Sequence, residues 1–168
     1  MRVAAAALLL ALPLGSSAAA AEIVDAQAGY RLSVPAGWTV AETPGARDEV
    51  LATFSHEDSD QVLVITRLPG PTDGAWDDDP AYFAALEAGV KKQFSSYERL
   101  WTRRIRLGKK KIPALDLWFR SEREGKKIVV GARFLLFRGY SLSLVIDSPG
   151  KKRPAATKKL LESFLPLD

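Results

Sequence analysis

From Trp101 to Ile146 the chain alternates apolar and polar residues in successive runs joined by turns too short for a crossover. That pattern allows only antiparallel pairing. Trp101, Arg103, Ile105 and Leu107 share one face of the first run. In the second, Leu115, Leu117 and Phe119 face one way and Asp116, Trp118 and Arg120 the other. Glu124-Gly125 turns into a third run, Ile128 to Phe137, which is apolar on both sides at its end. Arg138-Gly139 turns again, and Tyr140, Leu142, Leu144 and Ile146 then oppose Ser141, Ser143 and Asp147. Apolar residues on both parities predict a sheet covered on both faces.

Upstream, Tyr30, Leu32 and Val34 alternate with Arg31 and Ser33, and Pro35-Ala36-Gly37 turns the chain into a short return from Trp38 to about Glu42. Val50–His56 and Val62–Leu68 read as a hairpin around Glu57-Asp58-Ser59-Asp60. Phe83, Leu86, Val90 and Phe94 recur at helical spacing, predicting a helix from about Pro80 to Ser95 with Asp79 as N-cap. Gly89 in that helix suggests close packing against the sheet. A last helix, about Pro154 to Phe164, is expected to bury Ala156, Leu160, Leu161 and Phe164. The order of strands, helix, strands, helix predicts an α+β fold with helices flanking an antiparallel sheet.

The first 21 residues carry a different message. Arg2 precedes an Ala/Leu run from Val3 to Leu14, and Ala18–Ala21 offers the small side chains of a cleavage site. This reads as a secretory signal, too short for a membrane span, that leaves residues 22–168 as one domain in the periplasm or outside the cell. There is no Cys for lipid attachment, disulfides or thiolate chemistry, and His56 is the single histidine. Those counts exclude multi-His metal sites and any Ser-His-Asp triad not built on His56. The formal charge is +4 overall and +3 without Arg2.

The opening Gly29-Tyr30-Arg31-Leu32-Ser33-Val34-Pro35-Ala36-Gly37-Trp38, the mid-chain helix, the long meander and the closing helix around Leu161-Glu162-Ser163-Phe164 resemble the exported PsbP-like families, which share a fold with the nuclear import factor Mog. The resemblance implies an α/β/α sandwich acting as a binding or assembly module without established catalysis. It carries no functional motif over residue by residue. Glu22 to Ala28 is too short to be the extension that docks photosynthetic members on the photosystem.

Several constellations invite a functional reading. Arg103, Arg104, Arg106, Lys109, Lys110 and Lys111 crowd one segment and suit an anionic partner, with Arg104 and Arg106 projecting together by alternation. Asp116, Trp118, Arg133, Ser141 and Ser143 lie opposite the main core parity and could line a polar cleft under a helix, although an Asp–Arg cross-strand pair with a packed Trp explains them structurally. His56 with Glu57, Asp58 and Asp60 reads as a polar turn rather than a metal site. Asp73, Asp77, Asp78 and Asp79 miss the EF-hand pattern and read as helix capping. No catalytic residue, metal or cofactor is expected.

The partner expected is a protein or an anionic envelope component; nucleic acid is not, because stacking aromatics do not interleave the charges. The sequence sets no oligomeric state. The reading that follows is an exported, soluble, non-catalytic binding or assembly-accessory domain. A small-ligand carrier with a pocket between sheet and helix is the alternative, and a hydrolase is disfavoured. A dry sheet–helix interface favours the first, and an apolar cavity of several hundred Å³ favours the second.

Overall fold

The computed structural model describes residues 21–42, 50–70, 80–94, 96–137, 139–150 and 152–167. The leader through residue 20 and the acidic loop holding Asp73, Asp77, Asp78 and Asp79 lie outside them. Ten strands and two helices are described: β1 (Ala21–Asp25), β2 (Tyr30–Val34), β3 (Trp38–Glu42), β4 (Val50–His56), β5 (Val62–Pro69), α1 (Pro80–Gln93), β6 (Glu98–Leu107), β7 (Ile112–Arg123), β8 (Lys126–Phe137), β9 (Tyr140–Pro149), α2 (Ala155–Ser163) and β10 (Leu165–Pro166). A seven-stranded antiparallel sheet runs β3-β4-β5-β9-β8-β7-β6, and β1-β2-β10 form a second, three-stranded sheet. The expected α+β sandwich is what forms.

The meander folds as its alternation requires. β7 and β8 pair along their length, with Asp116 opposite Arg133 and Phe119 opposite Val130, and β9 closes on β8 through the tight turn at Phe137 and Tyr140. Both faces are buried. One holds Leu115, Leu117, Phe119, Val130, Ala132, Phe134 and Leu136 against Phe83 and Val90 of α1. The other holds Ala114, Trp118, Val129, Leu135, Leu142, Leu144 and Ile146 against α2 and the small sheet. Fully burying one such aliphatic or aromatic side chain stabilises the fold by about 1.5–3 kcal/mol.

Three local expectations need correcting. β2 does not return onto β3. It pairs β1 and β10, so the Pro35–Gly37 turn hands the chain from one sheet to the other. β1 and β10 themselves escape the alternation pattern. In α2, Ala156 is exposed and Thr157 takes the buried position, where its hydroxyl meets Ser148 Oγ at 2.8 Å. Gly89 does not mark close packing, because a Cβ there would meet nothing within 4 Å.

Three phenols carry a pH signature. Burial, and after it the Asp25 carboxylate, pushes Tyr30 above the ordinary tyrosine range. Burial also raises Tyr97, followed by its hydrogen bond to Glu87 and that group's charge. Tyr82 is raised by burial, which outweighs the opposing pull of the nearby Ser141 hydroxyl. A raised folded value favours the neutral phenol in the native state, so this stability is complete below the unfolded pKa of about 10 and declines above it. Urea titrations should therefore give a falling midpoint above about pH 10, with Tyr30→Phe flattening the decline. A decline of the same size in Tyr30→Phe contradicts the assignment.

Candidate binding groove

β6 is an edge strand, and its residues from Glu98 to Arg104 are exposed. Register with β7 decides which side each β6 residue serves. Trp101 opposes Trp118, Arg103 opposes Asp116 and Ile105 opposes Ala114, which places all three on the α2 side. Arg104 falls on the α1 side, its guanidinium 4.5 Å from the Phe83 ring centre. Arg106 follows the same parity and donates to the Lys111 carbonyl at 3.4 Å. Lys109, Lys110 and Lys111 sit exposed in the β6–β7 turn. Arg104 and Arg106 share one face of β6, while Arg103 is turned to the opposite face. The six cations are thus divided by the sheet edge.

Arg103 leads to the centre of the molecule. Its Nη2 reaches Asp116 Oδ2 at 3.2 Å. Asp116 is held from the other side by Arg133, through Nε to Oδ1 at 2.6 Å and Nη2 to Oδ2 at 2.9 Å. Both side chains of that pair are 2% exposed. The remaining Arg133 nitrogen, Nη1, donates to the Glu162 and Phe164 carbonyls at 3.1 and 3.3 Å. The last turn of α2 carries no cation of its own, so an arginine from β8 supplies the positive charge that a helix C-terminus favours. The bidentate geometry and satisfied donors are what make a buried ion pair tolerable.

Trp118 covers this pair's flank, lying over Gly131 of β8. A Cβ at that glycine would come within 2.8 Å of the indole. The outer side of Trp118 faces Arg153, whose guanidinium lies 5.2 Å from Trp118 and 5.7 Å from Trp101. Arg103 lies 5.2 Å from Trp101. Together with Leu100, Lys158 and Glu162 these residues line a groove of about 390 Å³ between β6 and the helix α2. Leu100 and Trp101, at 37% exposure each, are exposed large apolar residues. Sequence reasoning places Asp116, Trp118 and Arg133 together but misses Trp101 and Arg153 as their lid. The exposed register of an edge strand and the fold-back of residues 152–154 are set by tertiary contacts alone.

Ser141 and Ser143 do not join this groove. Ser143 opposes Phe134 and Ser141 opposes Leu136, so both point to the α1 side. Ser143 and Thr66 share a hydroxyl–hydroxyl hydrogen bond of 2.5 Å on the floor of a second hollow, and Ser141 meets Tyr82. That hollow measures about 530 Å³ and lies between α1 and strands β4, β5, β7, β8 and β9. Val64, Leu68, Leu86, Val90, Phe94, Phe119, Phe134 and Val145 are among the large apolar side chains of its wall.

His56 ends β4 with its ring edge-on to Trp38, and Nδ1 accepts the Asp58 N–H at 3.1 Å. Glu57, Asp58 and Asp60 are exposed in the adjoining turn. Among the described residues no three His, Asp or Glu side chains converge as a metal site.

Comparison with known proteins adds the fold's relatives. No protein-family model matches the sequence, and no curated protein matches it significantly. The solution structure of cyanobacterial PsbP from Synechocystis superposes over 91% of this chain and 95% of its own, with a TM-score of 0.67 at 16% identity. The fold is PsbP-like. LpqN of Mycobacterium tuberculosis, described as involved in cell envelope biogenesis, superposes over 87% of this chain and 90% of its own, with a TM-score of 0.53 at 16% identity. In this chain the PsbP-like frame carries a hollow on each side of its main sheet, the β6–α2 groove on one and the α1 hollow on the other.

The Trp118–Gly131 contact makes a sharp test of the groove floor. Gly131→Ala forces the indole or the β7–β8 ladder to shift, and overpacking of this kind costs about 1–3 kcal/mol. The denaturation midpoint should fall accordingly, whereas Gly125→Ala, in the open β7–β8 turn, should not disturb Trp118 fluorescence. An unchanged midpoint in Gly131→Ala contradicts the close approach.

Proposed function

We propose that this PsbP-like chain is an exported, non-catalytic accessory module that binds an acidic protein or anionic component of the cell envelope through the β6–α2 groove and the basic edge beside it. The observation that carries this reading is Trp101, exposed at the sheet edge and flanked by the guanidinium groups of Arg103 and Arg153. Trp and Arg are the residues most often found at the energetic centre of protein interfaces. The floor beneath them is fixed by Trp118 and the Asp116–Arg133 pair, so the groove presents its charges without first having to be ordered. Export rests on the leader-like first 21 residues. Among the described residues no helix is long and apolar enough to cross a membrane. The role of LpqN in envelope biogenesis points to the same compartment. A non-catalytic role fits a chain with one histidine and no cysteine.

A second reading, a small-ligand carrier, is favoured by the hollow under α1, whose size falls within the range of about 300–1,000 Å³ typical of ligand sites. The β6–α2 groove and this hollow lie on opposite faces of the sheet, so the two readings do not compete.

The test is capture of partners from the host's envelope fraction by the secreted, N-terminally sequenced protein, at about 0.15 M and 1 M salt, where the Debye length shrinks from about 8 to 3 Å. The mature terminus should lie at or near Glu22. Binding should weaken strongly at high salt, and Trp101→Ala with Arg153→Glu should weaken it by about 2 kcal/mol or more, roughly thirtyfold. Arg104→Glu with Arg106→Glu should act through on-rate, leaving thermal stability within about 0.5 kcal/mol. Salt-insensitive capture, or normal capture by the folded Trp101/Arg153 variant, contradicts the proposal.

A further inference from the structure

The α1 face of the sheet is less completely filled than the α2 face. The helix rests on the sheet through Phe83 and Val90, and between those anchors the hollow of about 530 Å³ opens beside Ala85, Leu86 and Gly89. A helix under pressure only to pack would carry a side chain at position 89, since Gly costs about 1 kcal/mol relative to Ala in a helix interior. Here the position is exposed and a Cβ would meet open space.

We infer that this hollow is a binding site for the uncharged hydrocarbon chain of a lipid-like amphiphile. The inference rests on the small-ligand reading above and supplies its chemistry. Of the described residues that line the hollow, none is Asp, Glu, Lys or Arg. Its polar groups are Thr66, Tyr82, Gln93 and Ser143. Thr66 and Ser143 satisfy each other, and burial keeps the Tyr82 phenol protonated. An ionised group inside would lose its hydration and find no opposite charge among these side chains. Ordered water is poorly served as well, because each buried water needs two to four polar partners and the wall is mainly aliphatic and aromatic. A flexible methylene chain meets both conditions. It needs no hydrogen bonds, and it gains from every apolar surface it covers. The polar head would stay outside, where Gln93 adjoins the last turn of α1 with its exposed Lys91 and Lys92.

The experiment titrates the mature protein with the neutral fluorophore N-phenyl-1-naphthylamine and then displaces it with 1-dodecanol. Gly89→Leu and Ala85→Phe are made in parallel, at exposed helix positions that border the hollow, so folding should survive and circular dichroism checks that it does. Saturable one-to-one binding is expected, reversed by dodecanol, insensitive to salt and weakened at least about tenfold in either variant. Absence of saturable binding, or equal affinity in both folded variants, overturns the inference. Binding of the naphthylamine that dodecanol cannot displace overturns the hydrocarbon-chain assignment and leaves a small-ligand site standing. Trp101→Ala should bind the probe normally, so loss of envelope partners and loss of this ligand report on different surfaces.

Discussion

One buried ion pair sits at the junction of the elements on the α2 side of this molecule. Asp116 and Arg133 face each other across β7 and β8, two long strands of the main sheet. Arg133 directs two nitrogens to the carboxylate and the third to the last carbonyls of α2. The chain leaving that helix end immediately becomes β10, which pairs β2, while the Leu167 N–H donates to the Gly29 carbonyl at 2.9 Å. β2 in turn holds β1. One guanidinium thus joins the central sheet to the end of the helix where the chain enters the three-stranded sheet, and the Ser148–Thr157 hydrogen bond ties the helix at its other end. Phe164 adds the apolar half of the joint, fully buried with its ring 5.2 Å from that of Tyr30. Removing one member of such a pair strands a buried charge, at a typical cost of about 3–5 kcal/mol.

The same pair links the architecture to the proposed binding groove. It holds Asp116 where Arg103 can reach it, and Arg103 and Arg153 flank the exposed indole of Trp101. A groove with a rigid floor and a polar rim is suited to binding with little ordering cost. The opposite face is built differently, from apolar side chains with a few hydroxyls and an incomplete helical cover. The main sheet therefore acts as a partition. The Trp101 groove with its two arginines lies on one side and the apolar hollow on the other, while Arg104 follows the α1-side parity at the sheet edge.

The meander is legible in the sequence because each of its strands has one apolar parity that decides its register, and its turns leave no room for a crossover. The Asp116–Arg133 pairing is legible for the same reason: two charged residues on the same face of adjacent strands have few other partners. Alternation misplaces Ser141 and Ser143 because parity within β9 does not say which face of the neighbouring strand it meets. The Phe137–Tyr140 register settles that, and it puts Ser143 beside Phe134. β1 merges in composition with the Ala-rich leader and is half exposed, so its alternation is faint. β10 is two residues long, too short for any alternation, and is seen only through its pairing with β2 beside the Phe164 carbonyl that Arg133 holds. Trp101 looks like a core residue by alternation. At a sheet edge the same parity gives it a neighbour on one side and solvent on the other.

The tether is tested most directly by amide hydrogen exchange on Arg133→Met and on the double variant Asp116→Leu/Arg133→Met. Replacing both charges by apolar groups removes the stranded carboxylate, so the double variant should recover most of the global stability that the single variant loses. It should not recover the joint. Amides of residues 161–167 and of Tyr30–Val34 should exchange faster than in the parent protein, while those in β8 and β9 keep their protection. Native-like protection of residues 161–167 in the double variant would show that packing alone seats the helix, and would contradict the central role of Arg133.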